Sequence, residues 1–215
     1  MDLWEIERGL LSEGYSAICG VDEAGRGPLA GPVFAAAVVL PYGIDIPGLN
    51  DSKKLSANTR ERLYDVITSV ALAYGIASAD HIEIDRINIL NATFSAMNRA
   101  ICKLSVKPDI ALIDGNRDNG IATRCNCIVG GDGKSASIAA ASILAKVSRD
   151  RLMTEMAKEY PQYGFERHKG YGTKLHFENL RLYGPCEIHR RTFLMCHEPG
   201  ETTPSASRPP LPRGE

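Results

Sequence analysis

The sequence contains no long hydrophobic run. Its longest apolar stretch, Val33 to Pro41, is too short to span a bilayer. The first residues, Met1 to Glu5, lack the basic segment followed by an apolar one that marks a signal peptide. We therefore expect a cytoplasmic protein that does not contact a membrane. A length of 215 residues with 44% hydrophobic and 24% charged residues suits one globular domain, alone or with a small appendage.

Close cysteine pairs are scarce as well. Of the six cysteines, only Cys125 and Cys127 are near each other in the chain. Their spacing is one residue shorter than a usual zinc half-site, and no second half-site follows. Because no secretion signal is evident, we expect reduced thiols buried in a strand rather than disulfides or a zinc site.

A positive excess of charge is also missing, since the formal net charge is −1. Proteins that bind nucleic acids are often strongly basic, so a nucleic-acid surface would have to come from local clusters of cations. Two basic segments with an aromatic residue, 167–173 and 189–193, offer such clusters, and Tyr171 could stack on a sugar or base. Taken alone, each segment would more often be a solvated loop.

Hydrophobic periodicity and turn residues predict helices alternating with strands. The predicted helices cover residues 2–13, 56–70, 78–85, 89–104, 135–160 and 173–182, and the predicted strands cover residues 16–21, 33–40, 71–77, 110–113 and 123–129. Asn58 with Glu61 is a possible capping box, Ser78 can cap the next helix, and residues 162–173 form a predicted loop. A glycine- and proline-rich turn makes the first two strands an antiparallel pair. The whole pattern indicates an α/β protein with a mixed sheet.

The chain after Glu198 is rich in proline, serine and threonine and cannot bury a core. We therefore expect residues 1–198 to form the folded domain and residues 199–215 to be a disordered tail without an assigned role.

Two adjacent acids, Asp22 and Glu23, directly follow a predicted buried strand. Charged groups near a core are costly unless a cation or a basic partner compensates them. Neighbouring strand residues point to opposite faces, so both acids can serve one site only if the strand ends or bends there, and Gly25 and Gly27 could supply that bend. An acidic pair alone would more often be a solvated turn.

Two further acids change that interpretation. Asp114 follows the short predicted strand 110–113, and Asp132 precedes the longest predicted helix. In an open α/β sheet such strand ends converge on one crevice. Clustered carboxylates without a basic partner repel one another unless a hard cation binds, and ligands that are all oxygen suit Mg²⁺ or Mn²⁺. Two such ions form a known clamp for in-line phosphodiester cleavage.

Two segments near the acids could bind phosphate. Gly25-Arg26-Gly27 can present backbone N–H groups and a forked guanidinium to a ligand, although it could equally be a simple tight turn. Lys134 and Ser135 lie at a predicted helix N-terminus, which can hold a phosphate. A nucleotide-binding P-loop is excluded, because the glycine that it requires is replaced by Ile128.

Five ordered motifs resemble those of the type 2 ribonuclease H family, over about residues 16–195. They are the segments Gly20–Val33, Asn50–Leu55, Ile113–Gly115, Ile138–Asp150 and His168–Thr173. The resemblance implies a ribonuclease H-like fold, with a central mixed five-stranded sheet flanked by helices and a small C-terminal helical segment. It also implies that Asp22, Glu23, Asp114 and Asp132 are the catalytic and metal-binding acids.

The same resemblance implies that residues 25–27 sense a ribose 2′-hydroxyl and that Tyr171 packs against the sugar at an RNA–DNA junction. The expected substrate-binding residues are Gly25, Arg26, Gly27, Lys53, Lys134, Ser135, Lys169, Tyr171 and Arg190. The implied activity is Mg²⁺- or Mn²⁺-dependent cleavage of RNA in RNA–DNA hybrids and on the 5′ side of single ribonucleotides in DNA, leaving a 3′-hydroxyl and a 5′-phosphate. We expect a monomer.

Two alternatives stay open. A non-catalytic module that binds hybrids would not need all four acids. A nuclease or recombinase of the wider ribonuclease H-like group that acts on DNA would not need the segment at residues 25–27 or Tyr171 to read a ribose.

Overall fold

The computed structural model describes residues 2–118 and 120–195. The strands are β1 (Ile18–Ala24), β2 (Val33–Val39), β3 (Ala73–Ala79), β4 (Ile110–Asp114) and β5 (Cys125–Ile128). The helices are α1 (Glu5–Ser12), α2 (Ala57–Val70), α3 (His81–Cys102), α4 (Ala136–Glu159), α5 (Phe165–His168), α6 (Lys174–Tyr183) and α7 (Arg191–Leu194). Short 3₁₀ turns cover Ser52–Lys54, Gly131–Gly133 and Pro161–Tyr163.

The five strands form one mixed sheet in the order β3-β2-β1-β4-β5. The first three strands are antiparallel neighbours, whereas β4 is parallel to β1 and β5 is parallel to β4. The predicted mixed five-stranded sheet and the predicted antiparallel pair of β1 and β2 are therefore confirmed. The parallel half brings the C-terminal ends of β1 and β4 to the same edge, which is where the predicted acids lie.

Helices cover both faces of this sheet. The core on one face joins alternate residues of β1 and β2 to α3, and a core on the other face joins the remaining buried residues in the middle of β2 to α2 and α4. The sequence of β2, Val-Phe-Ala-Ala-Ala-Val-Val, has no alternation because it is buried on both faces. A Cβ atom on Gly20 would lie 2.1 Å from the backbone carbon of Ser137, so only glycine allows α4 to approach β1 this closely.

Two predicted helix starts differ from the structure. Ser56, not Asn58, caps α2, and its side chain accepts a hydrogen bond from the Thr59 N–H. Because β3 continues to Ala79, Ser78 lies in a strand, and Asp80 caps α3 through the Glu83 N–H. The boundary predicted between the helices at 78–85 and 89–104 is confirmed, because Asn88 has a non-helical φ of 65° and divides α3 into two helices across a kink.

The C-terminal helical segment is present as α5, α6 and α7. The predicted loop 162–173 contains α5, a turn of helix too short to show periodicity. Among the described residues, no helix is long and apolar enough to cross a membrane. The predicted tail 199–215 lies outside the described residues, and the proposed boundary at residue 198 stays a prediction.

Candidate active site

Three of the predicted acids meet at one edge of the sheet. Asp22 lies near the end of β1, Asp114 is the last residue of β4, and Asp132 lies in the 3₁₀ turn before α4. One carboxylate oxygen of each lies within 4.8 Å of the others. Asp114 also accepts a 2.7 Å hydrogen bond from the Gly131 N–H, which fixes the turn that carries Asp132 against β4.

Glu23 is not a member of this group. The sequence suggested that the strand bends after Asp22, but β1 stays paired with β2 through Ala24, with Asp22 opposite Ala36 and Glu23 opposite Ala35. On a regular strand adjacent side chains point to opposite faces. Glu23 therefore lines a second cavity beside α3 as well as the edge of the first, and its role as a metal ligand stays a prediction.

The three aspartates form a strongly acidic site. The pKa of Asp22 is raised well above its ordinary value, first by burial and then by the charges of Glu23 and Asp114. Burial also raises the pKa of Asp114. One cation lies close, since Nζ of Lys53 is 3.2 Å from Oδ2 of Asp132. The pKa of Asp22 stays raised even so, as expected where carboxylates gather at a site that binds a divalent cation.

The turn after β1 lies beside these acids. Gly25 has a φ of +98°, and a Cβ atom there would lie 2.0 Å from Nε of Arg149, so this glycine makes room for a side chain of the protein rather than for a ligand. Arg26 is exposed, and its Nη1 atom is 3.4 Å from Oε1 of Glu23. The N–H groups of Arg26 and Gly27 donate to no acceptor within residues 2–118 and 120–195, which leaves them free for a ligand.

Tyr171 completes the same cavity of about 230 Å³, which Asp22, Glu23, Asp114, Lys53 and residues 25–27 also line. Tyr171 is 44% exposed. A Cβ atom on Gly27 would lie 3.6 Å from Cε1 of Tyr171, so the ring and the turn are neighbours. Residues that are 144 positions apart in the chain, Gly27 and Tyr171, are thus brought together beside the acids.

The start of α4 binds a carboxylate of the protein, so the prediction that Ser135 contacts substrate is wrong in this structure, whereas the prediction for Lys134 stays untested. The carboxylate of Glu7, on α1, accepts a hydrogen bond from Oγ of Ser135 at 2.6 Å and from the Ser137 N–H at 3.1 Å. Ser135 is fully buried. Lys134 is exposed, but its Nζ atom donates to the carbonyl oxygen of Val129 at 2.7 Å. An anion of the protein therefore already occupies this helix terminus.

Arg190 is also fully buried, so the prediction that it touches the substrate is wrong in this structure. Its guanidinium donates to the carbonyl oxygens of Gly25, Arg26 and Gly31 at 2.6, 2.8 and 2.9 Å. Burial, followed by the nearby charge of Arg149, lowers its pKa to about 9, which leaves it protonated at neutral pH. Arg190 supports the turn from inside the protein.

Lys169 lies outside the acidic cavity. It borders a larger cleft of about 530 Å³ between α2 and α4, and its Nζ atom is 3.0 Å from Oγ1 of Thr154. Its contact with substrate stays a prediction.

Sequence reasoning assigned no role to three residues of α4 that line the acidic cavity: Ser142, Lys146 and Arg149. Their spacing of four and three residues places them on one helix face, and that periodicity was a usable signal. Ser142 shares a 2.7 Å hydrogen bond with Ser52. Arg149 is buried and donates to the carbonyl oxygens of Pro32 and Ala30. Glu7 carried no such signal, because its partners are about 130 residues away in the chain.

Comparison with known proteins agrees with this geometry. The family model described as ribonuclease HII matches residues 19–196. The chain belongs to the ribonuclease HII family. The resemblance stated from the five motifs is thereby confirmed, and the chain is an endonuclease of the ribonuclease H type.

Individual relatives cover most of the chain. Ribonuclease HII of Caldicellulosiruptor bescii is 58% identical over 191 residues, which are 89% of this chain and 93% of that protein. Ribonuclease HII of Burkholderia mallei is 59% identical over 84% of this chain and 85% of its own length. The crystal structure of ribonuclease H2 from Pyrococcus horikoshii superimposes with a TM-score of 0.68 at 28% identity, covering 82% of this chain and 93% of that one. The ribonuclease H-like fold is therefore confirmed.

Proposed function

We propose that this endonuclease depends on Mg²⁺ or Mn²⁺, cleaves the RNA strand of RNA–DNA hybrids, and incises DNA on the 5′ side of single embedded ribonucleotides, leaving a 3′-hydroxyl and a 5′-phosphate. The observation that carries the proposal is one cavity that Asp22, Asp114, the turn at residues 25–27 and Tyr171 line, with a carboxylate oxygen of Asp132 within 4.8 Å of those of the two aspartates. A cluster of acids alone would fit an enzyme that cleaves any phosphodiester. The adjoining turn and ring point to a phosphodiester next to a ribose.

The donor set fits a hard divalent cation. Asp22, Asp114 and Asp132 each offer one oxygen within 4.8 Å of the others, and no nitrogen or sulfur ligand belongs to this group among the described residues. Such a set prefers Mg²⁺ or Mn²⁺ over zinc. When bound, the cation supplies an activated water and stabilises charge on the phosphate and leaving oxygens.

The remaining residues of the cavity would bind and orient the substrate. The free N–H groups of Arg26 and Gly27 can donate to a ribose 2′-hydroxyl, which deoxyribose lacks. The exposed face of Tyr171 can pack against the sugar that follows. Lys53, whose side chain is 75% exposed, can neutralise a backbone phosphate beside Asp132.

The two alternatives differ from this proposal in the site that they need. A module that only binds hybrids has no use for three mutually repelling carboxylates, one of them buried with a raised pKa. A nuclease that acts on DNA has no use for free amides beside the scissile phosphate. Cleavage of an all-DNA duplex at a comparable rate would favour that second alternative.

The test compares three duplexes, all-DNA, DNA with one ribonucleotide and a full RNA–DNA hybrid, each with Mg²⁺, with Mn²⁺ and with a chelator. We expect metal-dependent cleavage of the second and third substrates alone. Asp22→Asn should lower the rate on the single-ribonucleotide duplex by at least about 100-fold, because it removes a ligand and a charge. Asp65→Asn, on the exposed surface of α2, is the matched control. Near wild-type cleavage by Asp22→Asn would refute the metal-site assignment.

Three broader expectations are also proposals: a catalytic domain at residues 1–198, a monomeric state and a cytoplasmic location. Size-exclusion chromatography with light scattering measures the oligomeric state, and limited proteolysis tests the domain boundary.

A further inference from the structure

A short segment near the C-terminus, residues 186–190, lies between the two elements proposed to read the ribose. The carbonyl oxygen of Ile188 accepts from the Gly31 N–H at 2.9 Å, and the Arg190 N–H donates to the carbonyl oxygen of Leu29 at 2.9 Å. His189 forms an isolated antiparallel bridge with Ala30. The segment is thus attached to the chain that follows the turn at residues 25–27, and we call it the linking segment.

Arg190 orients the peptide groups of the turn. It donates to the carbonyl oxygens of Gly25 and Arg26, which therefore point towards it. In a trans peptide the N–H of the next residue points in the opposite direction from the carbonyl. The N–H groups of Arg26 and Gly27 consequently point away from Arg190. These are the two free amides of the turn.

His189 connects the linking segment to Tyr171 through a second histidine. Nε2 of His189 is 3.0 Å from Nε2 of His176, and Nδ1 of His176 is 2.9 Å from the carbonyl oxygen of Tyr171. At its other end, Nδ1 of His189 accepts a 3.0 Å hydrogen bond from the Cys186 N–H. A continuous chain of three hydrogen bonds therefore runs from Cys186 to the backbone of Tyr171.

If both rings are neutral, the end groups allow one arrangement of protons in this chain. A carbonyl oxygen only accepts, so Nδ1 of His176 carries a proton and Nε2 accepts. Nε2 of His189 must then donate, which leaves its Nδ1 free to accept from Cys186. Both rings are neutral in this arrangement. Burial lowers the pKa of both His176 and His189 to about 4, which agrees with neutral rings.

His176 and His189 are packed in the interior of the protein. Both are fully buried, and His176 stacks on His168 with ring centroids 4.6 Å apart. Phe165 packs edge-on against His176 at 5.5 Å. Buried polar groups that are fully paired hold one geometry, because any shift leaves a donor or an acceptor unsatisfied.

We infer that the linking segment positions both ribose-reading elements relative to each other: Arg190 sets the amides of the turn, and His189, acting through His176, sets the backbone of Tyr171. This inference rests on the proposed function of Tyr171 and of the turn. His176, His189 and Arg190 are positioning residues, since their contacts are with the protein.

The experiment measures kcat/KM on the single-ribonucleotide duplex and on the full hybrid, for variants checked by thermal unfolding. His176→Phe and His189→Phe keep a ring and lose the hydrogen bonds. We expect each to lower kcat/KM on the single-ribonucleotide duplex by about tenfold, with a smaller loss on the hybrid, where junction contacts matter less. The double variant should be no worse than either single variant, because both break the same chain.

Phe165→Leu is the matched control. It disturbs the same buried cluster, but Phe165 makes no polar contact with Tyr171 or the turn. It should therefore lower stability and leave unchanged the ratio of kcat/KM on the single-ribonucleotide duplex to kcat/KM on the full hybrid. If Phe165→Leu changes that ratio as much as His176→Phe does, the histidines act only as packing and the inference is overturned.

Two further variants separate this inference from the proposed function. Tyr171→Ala should lower the same ratio, and adding His176→Phe to it should lower the ratio no further. If Tyr171→Ala changes nothing, the proposed role of Tyr171 and the inference both fail. If Tyr171→Ala lowers the ratio while His176→Phe and His189→Phe do not, only the inference fails.

Arg190→Lys, which keeps the charge and loses the forked guanidinium, should lower kcat/KM on both substrates.

Discussion

The carboxylate of Glu7 accepts a 2.6 Å hydrogen bond from the hydroxyl of Ser135 and so joins α1 to the first turn of α4. The same carboxylate accepts from the Ser137 N–H, and the Asp132 turn immediately precedes this helix. The N-terminal helix thus stabilises the element that places one of the three clustered aspartates.

Glu7→Ala should lower the stability of the protein. It leaves Ser135 and the Ser137 N–H buried without their acceptor, which costs about 1–3 kcal/mol and lowers Tm by at least about 2 °C in a chain of this size. Thermal unfolding measured by circular dichroism checks it. Glu13→Ala, at the exposed end of α1, is the control and should leave Tm unchanged. Equal Tm values for both variants would show that Glu7 does not hold α4.

Asp22→Asn should raise the Tm of the metal-free protein at neutral pH, by about 2 °C or more. The pKa of Asp22 is raised in the folded state, so its ionised form destabilises the fold above that pKa, and the penalty vanishes below the ordinary pKa of an aspartate. The gain should therefore shrink as the pH is lowered towards 4. Thermal scans in chelator across pH measure it, and a loss of Tm at neutral pH would contradict it.

Lys53→Met should weaken substrate binding more than turnover. If Lys53 neutralises one phosphate, the slope of log KM against log salt concentration should fall in magnitude by about one. Lys54→Met is the control in the same turn, since the Lys54 side chain points to Asp51, at 3.7 Å. Equal salt slopes for the two variants would remove Lys53 from the phosphate contacts.

Gly25→Ala should disrupt the turn and lower activity sharply. Its backbone is left-handed, and a Cβ atom would lie 2.0 Å from the buried Arg149 side chain. We expect a loss of about 2–4 kcal/mol, measured by denaturant unfolding. Gly14→Ala separates the strain of the left-handed backbone from the clash with Arg149. Gly14 has a φ of +93°, but nothing lies within 4 Å of the added atom. The substitution should therefore cost only about 1 kcal/mol. Equal losses would mean that backbone strain alone matters at Gly25.

The sequence by itself determined the order of helices and strands, the mixed sheet and the three clustered aspartates. Each of these follows from local patterns: a buried strand ending in an acid, a glycine beside it, or a long alanine-rich helix. The family resemblance added the turn at residues 25–27 and Tyr171, which the fold brings into one cavity.

Only the tertiary structure decided which polar residues face that cavity. Glu23 lies outside the group of three aspartates, although it lines the same cavity, because β1 stays paired with β2 past it and adjacent strand residues point to opposite faces. Ser135 and Arg190 resemble phosphate ligands in sequence, yet both are buried by partners 128 and 165 residues away, Glu7 and Gly25. Contacts at such separations depend on how the elements pack, and no local pattern of residue types encodes them.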